Sequence, residues 1–180
     1  MSMRKSFGLA ALALTLGAGV ALAQQSGGLG KPITEADIKP WDISILPDGT
    51  NLPPGSGTPA QGAKIFGEKC AMCHGPEGKG GGAPGAGPLV GAPPLDSGID
   101  VPKLIGNYYA YATTIFDFIR RAMPATTPRT LKDEEVYALT AYILSLNKII
   151  KDTDVMDAKT LPAVKMPNRD NFIMPYPDRI

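Results

Sequence analysis

Histidine and cysteine are both rare in this sequence, which has one histidine and two cysteines among 180 residues. A structural zinc site needs four cysteine or histidine ligands, and the chain offers three at most. Once the single histidine serves as a ligand, none is left for histidine general acid–base catalysis. The scarcity of these residues therefore excludes a structural zinc site with four cysteine or histidine ligands. It also argues against an enzyme that uses histidine as its general acid or base.

Three further absences narrow the possible partners, location and fold. An excess of basic residues is missing, because 18 lysines and arginines stand against 17 aspartates and glutamates, so nothing indicates a nucleic-acid partner. Beyond Leu22 no apolar run is long enough for a transmembrane helix. No convincing β-strand pattern is present either, and 21 glycines and 18 prolines predict much loop.

The first 23 residues have the three parts of a secretory signal peptide. Arg4 and Lys5 form a charged start, an apolar stretch rich in alanine and leucine follows, and Ala21-Leu22-Ala23 fits a cleavage site. An uncleaved anchor is the alternative, but the apolar stretch is short and contains three glycines. We therefore expect cleavage before Gln24 and a periplasmic protein.

The three rare residues come together in Cys70-Ala71-Met72-Cys73-His74. Two thiols three positions apart, followed by histidine, are the attachment pattern of a c-type haem. Each thiol can form a thioether bond to one vinyl group of the porphyrin, and the histidine then lies under the iron. Zinc lacks a fourth ligand, a redox pair lacks a βαβ context, and a disulfide leaves the histidine without a role. We predict one covalent haem c held by Cys70, Cys73 and His74.

The second axial ligand of this iron cannot be histidine, because the chain has no other. Met72 lies inside the attachment motif and cannot reach the opposite face. The remaining candidates after signal removal are Met123, Met156, Met166 and Met174. We predict Met123, which lies before the last strong helix, where Pro124 forces an abrupt exit from helix to loop. Ligation by histidine and methionine occupies both faces of the iron and suits electron transfer.

Capping residues and apolar spacing predict three helices. Thr58 caps the first, which runs into the haem motif. Thr113 or Thr114 caps a short second helix, 114–122. Thr130 caps the third, which ends at Asn147. An aromatic of the third helix, Tyr137 or Tyr142, is expected to cross the first helix at Gly62 and Phe66.

Between the motif and the second helix the chain is mostly loop, with 14 glycines or prolines in residues 75–98. Such a long loop is usually functional or disordered, and here a haem gives it something to wrap. The residues expected at the porphyrin edge are Leu89, Val90 and Leu95. Three tyrosines follow, which either meet a haem propionate or pack in the ordinary way; they are Tyr108, Tyr109 and Tyr111.

These patterns divide the chain into four parts: a signal peptide at 1–23, an N-terminal extension at 24–57, a haem domain at 58–147 and a C-terminal extension at 148–180. Trp41, the only tryptophan, either packs on the body or grips a partner. The C-terminal extension lacks periodicity, and it either wraps the body or reaches a partner.

The order of Gly62, Phe66, the CxxCH motif, Met123-Pro124 and an aromatic-bearing last helix resembles the class I cytochromes c. The resemblance covers about residues 58–147. It implies an all-α fold of three to five helices around one covalent haem, with long irregular arms at both ends.

A narrower likeness concerns residues 106–124 and 135–142 together with the tail segment 166–170. These are similar to the cytochrome subunit of periplasmic sulfite or sulfane dehydrogenases, which accepts electrons from a molybdenum subunit. The chain departs from the two-haem members, since it has one CxxCH motif. It also has Tyr109-Ala110 where Trp-Pro is expected.

This likeness implies an electron-transfer subunit without substrate chemistry of its own, which passes single electrons to a downstream cytochrome or oxidase. A free soluble shuttle would use the same chemistry but would need only the haem domain. A haem enzyme acting directly on a small sulfur compound or peroxide would need an open or displaceable iron site. A binding module with a purely structural haem is a fourth hypothesis.

Overall fold

A computed structural model describes residues 30–95 and 100–172. These residues fall into two compact units, which divide between Asp42 and Ile43. The predicted signal peptide lies outside the described residues, as does Met174. Among the helices of the described ranges, none has the length and apolar character that a membrane span requires.

The first unit, as far as it is described, contains a single helical turn, α1 (Glu35–Ile38). The backbone N–H and the hydroxyl of Thr34 both donate to the Asp37 carboxylate, at 2.8 and 2.7 Å. All residues from 30 to 42 are exposed, and the Trp41 side chain is 83% exposed. This part of the N-terminal extension is therefore ordered locally, by its own caps.

The second unit is mostly helical, which confirms the predicted all-α fold. Its elements in chain order are β1 (Ser56–Gly57), α2 (Pro59–Lys69), α3 (Ala71–His74), α4 (Ile105–Tyr108), α5 (Ala112–Ala122), α6 (Asp133–Leu146) and β2 (Met156–Asp157). Short 3-10 turns lie at Pro76–Gly78 and Arg169–Asn171. The five α-helices of this described unit agree with the expected three to five.

Helix α6 is the centre of the second unit. It packs against α2, α5 and both strands, and every residue from 136 to 141 is buried. Six consecutive residues point to every side of a helix, so this part of α6 is enclosed on all sides. Its apolar residues therefore extend beyond a single stripe.

Helices α2 and α6 cross closely at Gly62. A Cβ atom at this position would overlap the backbone carbonyl of Ala138. One turn further on, the rings of Phe66 and Tyr142 lie 5.4 Å apart. The predicted crossing is therefore confirmed, with Tyr142 as its aromatic. Tyr137 instead packs on Phe116, at 4.5 Å between ring centroids.

The predicted start of α2 is confirmed, whereas that of α5 is wrong. Thr58 accepts a hydrogen bond from the Gln61 N–H at 3.3 Å, and the Gln61 side chain accepts one from the Thr58 N–H at 2.9 Å. Helix α5 already begins at Ala112, so Thr113 lies inside it and is buried. Neither Thr113 nor Thr114 is the cap, because the chain turns into the helix at Tyr111.

The start of α6 also differs from the prediction, and its end does not. The Thr130 hydroxyl donates to the Thr127 carbonyl at 2.8 Å and so forms a turn before the helix. The cap is at Lys132, whose N–H donates to the Glu135 carboxylate at 2.9 Å. Asn147 ends the helix as expected.

The C-terminal extension contributes to the core, at least as far as residue 172. Strand β2 pairs with β1 in antiparallel register, with Gly57 opposite Met156. The side chains of Met156, Leu161 and Met166 are buried among those of the helices. The sequence pattern did not predict these strands, because two residues are too few to show a period.

Candidate functional site

The Cys70–His74 motif lies where α2 gives way to α3. Cys70 ends α2, with its N–H donating to the Phe66 carbonyl at 2.9 Å, and its φ of −123° interrupts the helix. Its own carbonyl then accepts hydrogen bonds from the N–H groups of Cys73 and His74, at 3.1 and 2.9 Å. Both cysteines are free thiols and half-buried. One helical turn therefore holds two thiols and an imidazole together.

The imidazole of His74 has a defined second partner. Its Nδ1 atom lies 3.2 Å from the carbonyl oxygen of Gly87. A carbonyl can only accept, so this contact requires the proton on Nδ1 and leaves the lone pair on Nε2. That is the arrangement of a metal-binding histidine.

Burial raises the pKa of the Cys70 thiol to about 11. The protein surroundings disfavour the charged thiolate, so this cysteine is neutral at physiological pH. A neutral, partly buried thiol is slow to oxidise.

The glycine-rich loop folds back over the motif. The N–H of Gly80 donates to the His74 carbonyl at 2.7 Å, and the N–H of Ala83 donates to the Cys73 carbonyl at 3.0 Å. Gly82 must be glycine, because a Cβ there would press on the Cys73 carbonyl. The loop residues expected at the porphyrin edge, Leu89, Val90 and Leu95, are all half-buried.

Two asparagines hold this loop, and the sequence reasoning did not predict that role for them. The Asn107 amide donates to the carbonyls of Pro93 and Pro102, at 2.8 and 2.9 Å. The Asn147 amide donates to the Leu89 carbonyl at 3.1 Å. Proline has no backbone N–H, so a proline-rich loop has few hydrogen-bond donors of its own. That shortage is the sequence signal that could have indicated a role for asparagine side chains.

The candidate methionines have different surroundings. Met123 follows α5 with φ −114° and ψ 148°, so the predicted exit from the helix before Pro124 is confirmed. Its side chain is half-buried and packs at the edge of the core. Met156 and Met166 lie inside the core, with 4% and 0% of their surfaces exposed.

Two of the three tyrosines contact the C-terminal extension. Tyr108 is exposed and lies 5.9 Å from Phe172 between ring centroids. Tyr111 pairs with Lys165 in an isolated antiparallel bridge, and the Arg169 guanidinium lies 4.4 Å from the centroid of its ring. Tyr109 is half-buried against the core. Protein contacts therefore account for much of their surface.

The donor set fits a haem better than a bare metal ion. Within residues 30–95 and 100–172, no group of three His, Cys, Asp or Glu side chains is arranged to hold a metal. A porphyrin supplies four nitrogen ligands itself, so its iron needs only axial ligands from the protein. The available Nε2 of His74 can supply one axial ligand, and the free thiols of Cys70 and Cys73 can attach the porphyrin covalently.

Comparison with known proteins agrees with this chemistry. Residues 59–147 match the family model for cytochrome c. The chain is also similar to a chain in the crystal structure of the sulfane dehydrogenase SoxCD from Paracoccus pantotrophus, with 34% identity and a TM-score of 0.72. That match covers 86% of this chain and 73% of the other. The protein belongs to the cytochrome c family, as a class I c-type cytochrome, and this membership implies a covalently attached haem and a role in electron transfer.

Proposed function

We propose that the chain is the haem subunit of a periplasmic molybdenum dehydrogenase that oxidises sulfite or a sulfane compound. It receives single electrons from the molybdenum subunit and passes them to a downstream cytochrome or oxidase. The observation that carries this proposal is the extent of the similarity. The cytochrome c model spans 89 of the 180 residues, whereas the likeness to the SoxCD chain covers 86% of them. The likeness therefore reaches into the extensions, which a free shuttle does not need.

The proposed site holds one haem. Cys70 and Cys73 would attach it, and His74, through Nε2, and Met123 would bind its iron. When bound, the haem takes up and releases one electron without needing an open coordination position. Met123 is favoured because Met156 and Met166 already fill the core and Met72 is 82% exposed within the attachment motif.

The chain contributes two things to this reaction. The Gly87 carbonyl orients His74 and raises the electron density of its ring, because it accepts the Nδ1 proton. Because Cys70, Cys73 and His74 are half-buried, their surroundings would limit the access of water to a bound iron. The export signal at Met1–Ala23 is the basis for placing this reaction in the periplasm.

Reduction kinetics test the proposal. The haem-loaded mature chain is mixed with sulfite, and separately with thiosulfate, and its visible absorbance is followed alone and with a periplasmic fraction of the native host. We expect rapid reduction only when the fraction is present. Rapid reduction of the chain alone would overturn the proposal in favour of sulfur chemistry at the iron. Absence of reduction by every donor would remove the sulfur-oxidising role.

The ligand assignment has its own test, with Met72→Ala as the matched control. Met123→Ala should abolish the near-infrared absorption of the iron–thioether bond and lower the midpoint potential, because methionine ligation raises it. Met72→Ala should leave both unchanged. A wild-type spectrum in Met123→Ala would show that the methionine ligand, if there is one, lies elsewhere.

A further inference from the structure

We propose that Asn147 is a positioning residue for the imidazole that binds the iron. Its side-chain amide holds the loop segment whose Gly87 carbonyl accepts the hydrogen bond from His74. The inference rests on the proposed function in one respect, namely that His74 binds the iron through Nε2.

The first step is the contact between His74 and Gly87. Their separation of 3.2 Å from Nδ1 to oxygen is at the long end of the range for a hydrogen bond. Small shifts of the carbonyl would therefore weaken or strengthen it. The segment around Gly87 is rich in glycine, and a glycine-rich backbone is flexible unless other contacts hold it.

The second step is the short link from Gly87 to Leu89. Pro88 joins them, and its ring fixes one backbone dihedral and restricts the residue before it. Leu89 is held on both sides, since its N–H donates to the Gly78 carbonyl at 2.8 Å and its carbonyl accepts from the Asn147 amide at 3.1 Å. Fixing Leu89 therefore limits the movement of the Gly87 carbonyl.

The third step is that Asn147 is itself fixed. Its amide also donates to the Ile143 carbonyl at 2.9 Å, in the last turn of α6. On the other side, a Cβ at Gly106 would lie 2.5 Å from the Asn147 Oδ1 atom. The side chain thus lies between α4 and the loop, and it connects the most buried helix to the support of His74.

The consequence is that Asn147 would tune the chemistry of a bound iron through the loop and His74. A firm bond from Nδ1–H to the carbonyl makes the imidazole a stronger donor and stabilises oxidised iron. Loosening the loop weakens this bond, so the midpoint potential rises and the ring proton exchanges faster with solvent.

The test uses Asn147→Leu and Asn147→Ala in the haem-loaded mature chain. Leucine retains the volume of the side chain but cannot donate, so both variants should raise the midpoint potential. Both should also speed exchange of the His74 ring proton about tenfold, the factor expected when its hydrogen bond to Gly87 is lost. Wild-type values in Asn147→Leu would overturn the proposal. Should these variants fail to fold, Gly106→Ala displaces the same amide and should shift both readouts in the same direction.

The matched control is Asn168→Ala. Its amide also donates to a backbone carbonyl, that of Tyr108 at 2.8 Å, but in the C-terminal extension. This variant should lower stability while leaving the His74 exchange rate and the potential unchanged. An equal shift in the control would attribute the effect to general loosening and overturn the role of Asn147. A wild-type protein without an iron-bound histidine would instead contradict the haem assignment itself.

Discussion

Single side chains in the core tie distant segments to α6, and Tyr137 shows how. Its ring is fully buried against Phe116, and its hydroxyl donates to the Pro53 carbonyl at 2.8 Å. Burial raises the pKa of this phenol to about 12, so it remains a donor across the physiological pH range. The hydrogen bond connects the N-terminal extension to the central helix.

Tyr137→Phe should lower the free energy of unfolding by about 1–2 kcal/mol, because it leaves the Pro53 carbonyl without its partner. Urea unfolding followed by far-UV circular dichroism measures the difference. The control is Tyr142→Phe, which removes a hydroxyl from a half-buried tyrosine of the same helix and should cost less. Equal stability of Tyr137→Phe and wild type would show that water replaces the lost donor.

Glu135 provides a pH-dependent contact between α2 and α6. Its carboxylate accepts hydrogen bonds from the Lys69 ammonium at 2.6 Å and from the Lys132 N–H at 2.9 Å. Lys69 first, and then this N–H, lower the pKa of Glu135 below its ordinary value of 4.5. A depressed carboxyl pKa stabilises the fold above that ordinary value, and the stabilisation is lost as the pH falls through the folded pKa.

Glu135→Gln keeps a side chain that can accept from the Lys132 N–H but removes the ion pair. At pH 7 it should cost about 0.5 kcal/mol, within the usual range for a pair that solvent still reaches. The difference from wild type should disappear below the folded pKa of Glu135. Unfolding midpoints between pH 3 and 7 measure it, and a difference that stayed constant would exclude the ion pair as its source.

Some residues of the site could be predicted from the sequence, and others could not. Cys70, Cys73 and His74 are contiguous, so their chemistry is visible in the spacing alone. Asn107 and Asn147 act on carbonyls 14 and 58 residues away, and no local pattern encodes such distances. The pKa of Cys70 likewise depends on packing that only the folded chain supplies.

At the scale of elements, the crossing of α2 and α6 depends on an absent side chain. Gly62 lets the two backbones meet, whereas Gly67 on the same helix has no atom within 4 Å of the position that a Cβ would take. The same residue type therefore has opposite roles in one helix. At Gly62 it permits contact, and at Gly67 it only weakens the helix.

Gly62→Ala should destabilise the protein by about 1–3 kcal/mol, the cost of forcing extra volume into a packed interface. Gly67→Ala should stabilise it by about 0.5–1 kcal/mol, because alanine restricts the unfolded chain and favours the helix. Thermal unfolding of both variants gives the comparison. Destabilisation by both substitutions to the same degree would mean that the crossing is not what constrains Gly62.

Periodicity predicted the helices better than their ends. The apolar spacing in α5 and α6 predicted which side chains would be buried, and those side chains line the core. A threonine hydroxyl has several acceptors within reach. Thr130 donates to the Thr127 carbonyl instead of capping a helix, and Thr113 lies buried inside its helix. A strand of two residues leaves no trace in the sequence at all.

At the scale of the whole molecule, the haem domain is not complete without the C-terminal extension. Met166 and Leu161 are fully buried, although neither belongs to the range that matches cytochrome c. The sequence left open whether this extension wraps the body or reaches a partner, since irregular segments bury side chains without a period. Only the folded structure shows that Leu161 and Met166 pack against the helices.

Met166→Ala should therefore lower the free energy of unfolding by about 2–5 kcal/mol, as for other buried methionines. Met72→Ala, at a position 82% exposed, should be close to neutral. Guanidinium unfolding of the two variants tests the pair. A neutral Met166→Ala would mean that the extension detaches without cost.

The pairing of β1 with β2 also has a consequence for the order of folding. The paired residues, Gly57 and Met156, lie about 100 positions apart, and closing so long a loop is entropically costly and slow. On the proposed export route the cysteines would emerge well before Met156, so haem could be joined to Cys70 and Cys73 while the far end is still free. We expect the Gly57 and Met156 amides to gain protection last in pulse-labelling hydrogen exchange. The two strands would then pair late in folding, after the haem has been attached.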